Sequence, residues 1–130
     1  MQLGLEPEPF GHFHDTDGAI RFFNGLRNRS RRPELIERHL GLTYDTCHFA
    51  ILREEPEFTL SAWEENNIAL CKVQFSNALE CRICGEEDLE RLRQFDDGVY
   101  FHQTSILHRE GSMLFPDLPN ALAYGRDYAE

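Results

Sequence analysis

The stretch Tyr44–Arg53, YDTCHFAILR, decides how the chain is read. Cys47, Phe49 and Ile51 alternate with His48 and Ala50, so strand parity places those three on one apolar face. On that reading the adjacent Cys47 and His48 point to opposite sides and form no dyad. EFTLSAWE, NIALCKVQF and ALECRIC continue the pattern: each is short, rich in β-formers, and set off by EEPE, ENN or SN. The four segments together predict a four-strand meander.

Working outward, Ala19, Phe22, Phe23 and Leu26 recur at helical spacing, with Thr16 or Asp17 placed to cap the helix start. Pro33 suits the first turn of a second helix that buries Leu35, Ile36, His39 and Leu40 and stops at Gly41. GEEDLERLRQF reads as a third, amphipathic helix with acids in its first turn, and VYFHQTSIL as a fifth strand. The expected fold is therefore α+β: an antiparallel sheet of about five strands, the meander plus one strand after a helix, packed against two N-terminal helices and one later helix. Residues 1–130 read as a single globular domain, with 1–11, which hold two of the six prolines, as an extended arm.

Composition limits the function classes. A hydrophobic fraction of 41% supports a packed core. No apolar run is long enough to cross a bilayer, and the N-terminus lacks the pattern of a signal peptide, so neither membrane insertion nor secretion is expected. Four cysteines without a regular framework suit a reducing, cytoplasmic setting. The net charge is −10, yet the segment from Arg21 to Arg38 carries six arginines against two glutamates. The acidic remainder repels phosphates, which makes nucleic acid an unsuitable partner and a protein with a basic surface a suitable one. Arg27, Arg29, Arg31 and Arg32 form the place where an anion could dock.

Cys81-Arg82-Ile83-Cys84-Gly85 has the spacing of one half of a zinc site. A structural zinc needs four ligands, and no second pair stands at a matching interval. On a regular strand Cys81 joins Leu79 and Ile83 on the core face while Cys84 points away, so the pair grips no ion and reads as a strand-to-helix junction. Glu86, Glu87 and Asp88 also oppose a reactive thiolate. Cys81 and Cys84 remain the candidates for a zinc-knuckle module, and no metal or other cofactor is expected. His12 and His14 form a His-x-His pair, but the carboxylate spacing that would complete a metal site is absent.

His14-Asp15-Thr16 and His102-Gln103-Thr104 are two His-x-Thr motifs. Their pairing resembles the two-histidine phosphoesterases. The resemblance covers six residues and implies that His14 and His102 trade acid and base roles across a phosphodiester while Thr16 and Thr104 hold its oxygens. The surroundings of the first motif, FHDTDG, are acidic and turn-like, unlike the strand context of that family.

Two function classes follow. The first is a small acidic cytoplasmic protein-binding domain, an inhibitor of the immunity or anti-defence type, that presents Glu54, Glu55, Glu57, Glu64 and Glu65 with Trp63 as an apolar anchor. Homodimerisation through a strand edge is open to such a protein. The alternative is an enzyme acting on a phosphodiester or nucleotide through the two His-x-Thr motifs.

Overall fold

A computed structural model describes residues 1–109 and 111–127. Their contacts fall into two compact units, Met1–Ala78 and Leu79–Glu130. The first unit runs β1 (Leu3–Leu5), α1 (Thr16–Arg29), α2 (Pro33–His39), β2 (Leu40–Asp45), α3 (Thr46–Leu52), α4 (Pro56–Glu65) and β3 (Ala69–Gln74). The strands form one sheet in the order β1-β2-β3, and both pairings are parallel. Each connection contains two helices, which gives the chain the length it needs to return and start the next strand in the same direction.

One face of β2 builds the core. Leu42 and Tyr44 pack with Ala19 and Phe23 of α1, Phe49 of α3, Trp63 of α4 and Ile68. Tyr44 stacks on Phe49 at 4.5 Å, and the Trp63 ring meets both edge-on. Two polar clamps fix the helices. Glu54 accepts hydrogen bonds from the amide and hydroxyl of Thr16 at the start of α1, and Thr16 and Thr59 share a buried hydroxyl contact of 2.8 Å. Arg27 donates to the carbonyls of Asn66 and Asn67 at 3.0 and 2.7 Å, tying α1 to the end of α4. β3 passes close to Gly41: a Cβ there would run into the Ala69 carbonyl oxygen and the Cys71 sulfur.

The second unit contains α5 (Glu86–Leu92), a 3-10 turn (Arg93–Phe95), the antiparallel pair β4 (Thr104–His108) and β5 (Gly111–Phe115), and α6 (Leu118–Asp127). Leu89, Leu118 and Leu122 form its core, with Leu92 against them. No described helix is long and apolar enough to cross a membrane.

The expected five-strand antiparallel sheet does not form. The described residues hold six α-helices rather than three, and two separate sheets, one parallel with three strands and one antiparallel with two. The meander breaks first inside YDTCHFAILR, where the Asp45 side chain accepts from the Cys47 amide and caps a helix in mid-run. EFTLSAWE is also helical. Pro56 takes the first helical position, and Thr59 and Trp63, four residues apart, are the ones buried. ALECRIC forms no strand: Leu79 and Ile83 are exposed, and Cys81 lies in solvent rather than on a core face. Val99, Tyr100 and Phe101 are exposed and irregular, so the expected last strand begins only at Thr104. The helices expected at 15–26, 33–40 and 85–95 do form, although Asp15, not Thr16 or Asp17, caps the first, and that helix runs on to Arg29 through residues expected in an exposed connection. Leu3–Leu5, expected in an extended arm, pairs with β2.

Candidate metal centre

All three parallel strands end on the same edge of the sheet, and polar side chains gather there. Glu6 and Pro7 follow β1, Asp45 is the last residue of β2, and Gln74 is the last of β3 with Ser76 two residues beyond. Ligand chemistry in parallel β/α structures collects at the carboxyl ends of strands, where loops supply side chains over a rigid sheet.

Asp45 is at the centre and is buried, 2% exposed. Its Oδ1 accepts from the Cys47 amide at 3.0 Å and from the Ser76 hydroxyl, and its Oδ2 accepts from Gln74 Nε2 at 2.6 Å. Burial pushes the carboxyl toward its neutral form. The hydrogen bonds from Ser76 and Cys47, with His48 nearby, outweigh that push and hold the pKa below the ordinary aspartate value. Asp45 is therefore an ionised, oriented carboxylate at neutral pH.

Donor atoms of Asp45, Cys47 and His48 all lie within 4.8 Å of one another, the spacing a single cation needs. The His48 ring is anchored from behind: Nδ1 is 3.1 Å from the Pro7 carbonyl oxygen and 3.5 Å from Glu6 Oε1. A carbonyl oxygen only accepts, so Nδ1 carries the hydrogen of that contact and Nε2 is the ring nitrogen that remains to serve as a ligand. This is the arrangement that fixes metal-binding histidines in their tautomer. Burial raises the Cys47 pKa, and the nearby carboxylates Asp45 and Glu6 add to it against the Ser76 hydrogen bond, so the thiol is protonated at neutral pH. A carboxylate, an imidazole and a thiol that a cation can deprotonate form a donor set suited to zinc, and its oxygen and nitrogen members also suit manganese.

One irregularity in β3 brings two further polar side chains toward Asp45. Leu42 pairs with Leu70, but Thr43 pairs with Lys72, so Cys71 is an extra residue. In a regular strand residues 70, 72 and 74 would share a face with Leu42. The bulge turns Lys72 and Gln74 to the opposite face, that of Thr43 and Asp45. Lys72 Nζ donates to Gln74 Oε1 at 2.6 Å, and Gln74 donates onward to Asp45.

The residues that sequence reasoning singled out lie elsewhere. His14, 3.3 Å from Asp15, lines an open cleft of about 340 Å³ beside α1 with His12, Phe13, Arg21, Phe22 and Arg29. Thr16 is buried and its hydroxyl is spent on Glu54 and Thr59. In the second unit the His102 amide donates to Asp117, and the Thr104 hydroxyl donates back to the His102 carbonyl. Neither threonine offers a free hydroxyl in the sense the phosphoesterase resemblance implies. Arg27 is a structural clamp, Arg32 pairs with Glu34 at 3.1 Å, and Arg31 is exposed. Trp63 is buried in the core, so it presents no anchor, and Glu54 belongs to the α1 clamp, while Glu55, Glu57, Glu64 and Glu65 are exposed on and beside α4. Cys81 and Cys84 are both exposed, and among the described residues the one group of three clustered metal-binding side chains is Asp45, Cys47 and His48. The strand reading that set Cys47 and His48 apart fails because a helix begins between Asp45 and Cys47. The spacing Asp45-x-x-His48, one helical turn, is the sequence signal that could have found the site.

Comparison with protein-family models, with curated proteins and with solved structures yields no match for this chain. Function therefore has to be argued from this geometry.

Proposed function

We propose that the first unit carries a divalent-metal centre of an enzyme, held by Asp45 and His48 with Cys47 as a further ligand. The observation that supports it most is the convergence of donor atoms of Asp45, Cys47 and His48 within 4.8 Å, with the His48 ring held through Nδ1 at the Pro7 carbonyl. Gln74 and Ser76 orient the carboxylate as outer partners. A cation here would act as a Lewis acid on a carbonyl or phosphoryl oxygen, or activate a bound water. The acidic-docking reading keeps the exposed glutamates of α4 but loses its apolar anchor, which favours the enzyme reading.

Calorimetric titration of metal-stripped protein with zinc and with manganese tests this. One cation per chain is expected, with affinity falling at least about tenfold in Asp45→Ala and His48→Ala. No saturable binding by the wild type would remove the proposal. His14→Ala and His102→Ala, lying outside the centre, are expected to bind as wild type does.

A further inference from the structure

Lys72 is the single lysine among thirteen basic residues; the other twelve are arginines. It stands on the face that bears the proposed metal centre. The Cys71 bulge brings it there, and Gln74 links its ammonium to Asp45 through two hydrogen bonds of 2.6 Å each. An ammonium has three N–H donors. Gln74 takes one, and Lys72 is exposed, so the ammonium keeps donors for a ligand that arrives from solvent.

Charge decides what such a group can hold. Asp45, Glu6 and a metal-bound Cys47 thiolate contribute three negative charges near the centre, and a divalent cation together with the Lys72 ammonium balances them. The ammonium is then the positive group exposed beside the metal coordination sphere. A neutral substrate has no use for that charge, whereas an oxyanion does. Gln74 stands between the ammonium and Asp45, so the lysine's hydrogen-bonding partner is an amide oxygen and not that carboxylate.

We propose that Lys72 is the anion-binding residue of the site, and that the substrate is a small molecule bearing a phosphate or carboxylate beside the oxygen that meets the metal. The proposal rests on the metal-centre reading and deepens it. Lys72 sets which substrate binds, and Gln74 positions it.

The single lysine makes the test direct, since any amine-reactive label on a side chain must fall on residue 72. Labelling is followed by mass spectrometry of the peptide containing Lys72, in metal-stripped and zinc-loaded protein, with inorganic phosphate or succinate as the competing anion. Phosphate, succinate or both should slow labelling, and the more effective of the two identifies the anionic group. In parallel, binding of the same anion should fall about tenfold or more in Lys72→Met and only a few-fold in Lys72→Arg, which keeps the charge. Zinc affinity should be unchanged within about twofold in both variants, which also shows that the centre is intact. Equal anion binding by Lys72→Met and wild type, or labelling that neither anion slows, would overturn the assignment. Failure of zinc to bind in all three proteins, with labelling still slowed by phosphate, would remove the metal reading and leave Lys72 as a metal-free anion site.

Discussion

Replacing Asp45 by asparagine removes one charge at constant shape and probes the centre at its most constrained point. Three donors converge on the carboxylate: the Cys47 amide at 3.0 Å, the Ser76 hydroxyl and Gln74 Nε2 at 2.6 Å. The new amide offers one oxygen, so at least one of those donors meets an N–H group instead. Flipping Gln74 gives no relief, because its carbonyl oxygen is taken by Lys72. Losing one charge-assisted bond of about 1.5–3 kcal/mol and weakening the other two toward about 1 kcal/mol gives an expected loss of about 2–4 kcal/mol. Asp45 is buried, so solvent screening does not erode this figure. Urea denaturation followed through Trp63, the only tryptophan and part of the same core as β2, measures it. The folded pKa of Asp45 lies below the unfolded value near 3.9. Its contribution is therefore complete above that value and is lost as pH falls through the folded pKa. The gap between wild type and variant should be full at pH 7 and should close below about pH 4. Equal stability at pH 7, or a gap that persists unchanged in acid, would refute the reasoning.

Further outcomes separate the centre from the scaffold. Gln74→Leu should lower zinc affinity about tenfold to a hundredfold by releasing the Asp45 carboxylate, as read by calorimetry. Glu54→Ala should cost about 2–4 kcal/mol in urea denaturation by stripping the start of α1 of its acceptor, with zinc affinity unchanged. Because the Cys47 thiol is held protonated, zinc binding at pH 7 should release about one proton, and Cys47→Ser should abolish that release in titrations run in buffers of different ionisation enthalpy. Gly41→Ala should destabilise by about 1–3 kcal/mol, since the added methyl meets the Ala69 carbonyl of β3, which is backbone, as well as the Cys71 sulfur.

The helices with strong periodicity were legible: α1 from Ala19, Phe22, Phe23 and Leu26, and α5 from its acidic first turn followed by Leu89 and Leu92. The middle of the chain was not, because a short apolar run satisfies two periods at once. HFAIL alternates as a strand and also puts Phe49 on one side of a helix. What decides is Asp45, whose capping hydrogen bond stops β2 and starts α3, and a single aspartate inside a β-rich run carries little weight in a window. Parallel pairing was hidden for another reason. It joins residues 3–5, 40–45 and 69–74, and no local pattern encodes such distant partners. The site was obscured with it, since Glu6, Asp45, Lys72 and Gln74 meet only once three strand ends are aligned. Strand parity over residues 69–75 sets Ala69, Cys71, Val73 and Phe75 on one face, and it fails for a specific cause, the extra residue Cys71.

Asp45 has one further consequence. The oxygen that accepts from the Cys47 amide belongs to the carboxylate proposed to bind the cation. Any ion that draws on that carboxylate competes with the cap, and the first turn of α3 must respond. If the proposed site fills, the Cys47 amide would be a native gauge of occupancy, with a chemical shift and a rate of hydrogen exchange that change on loading. Loading would then be followed from one backbone proton, with no substrate, label or turnover required.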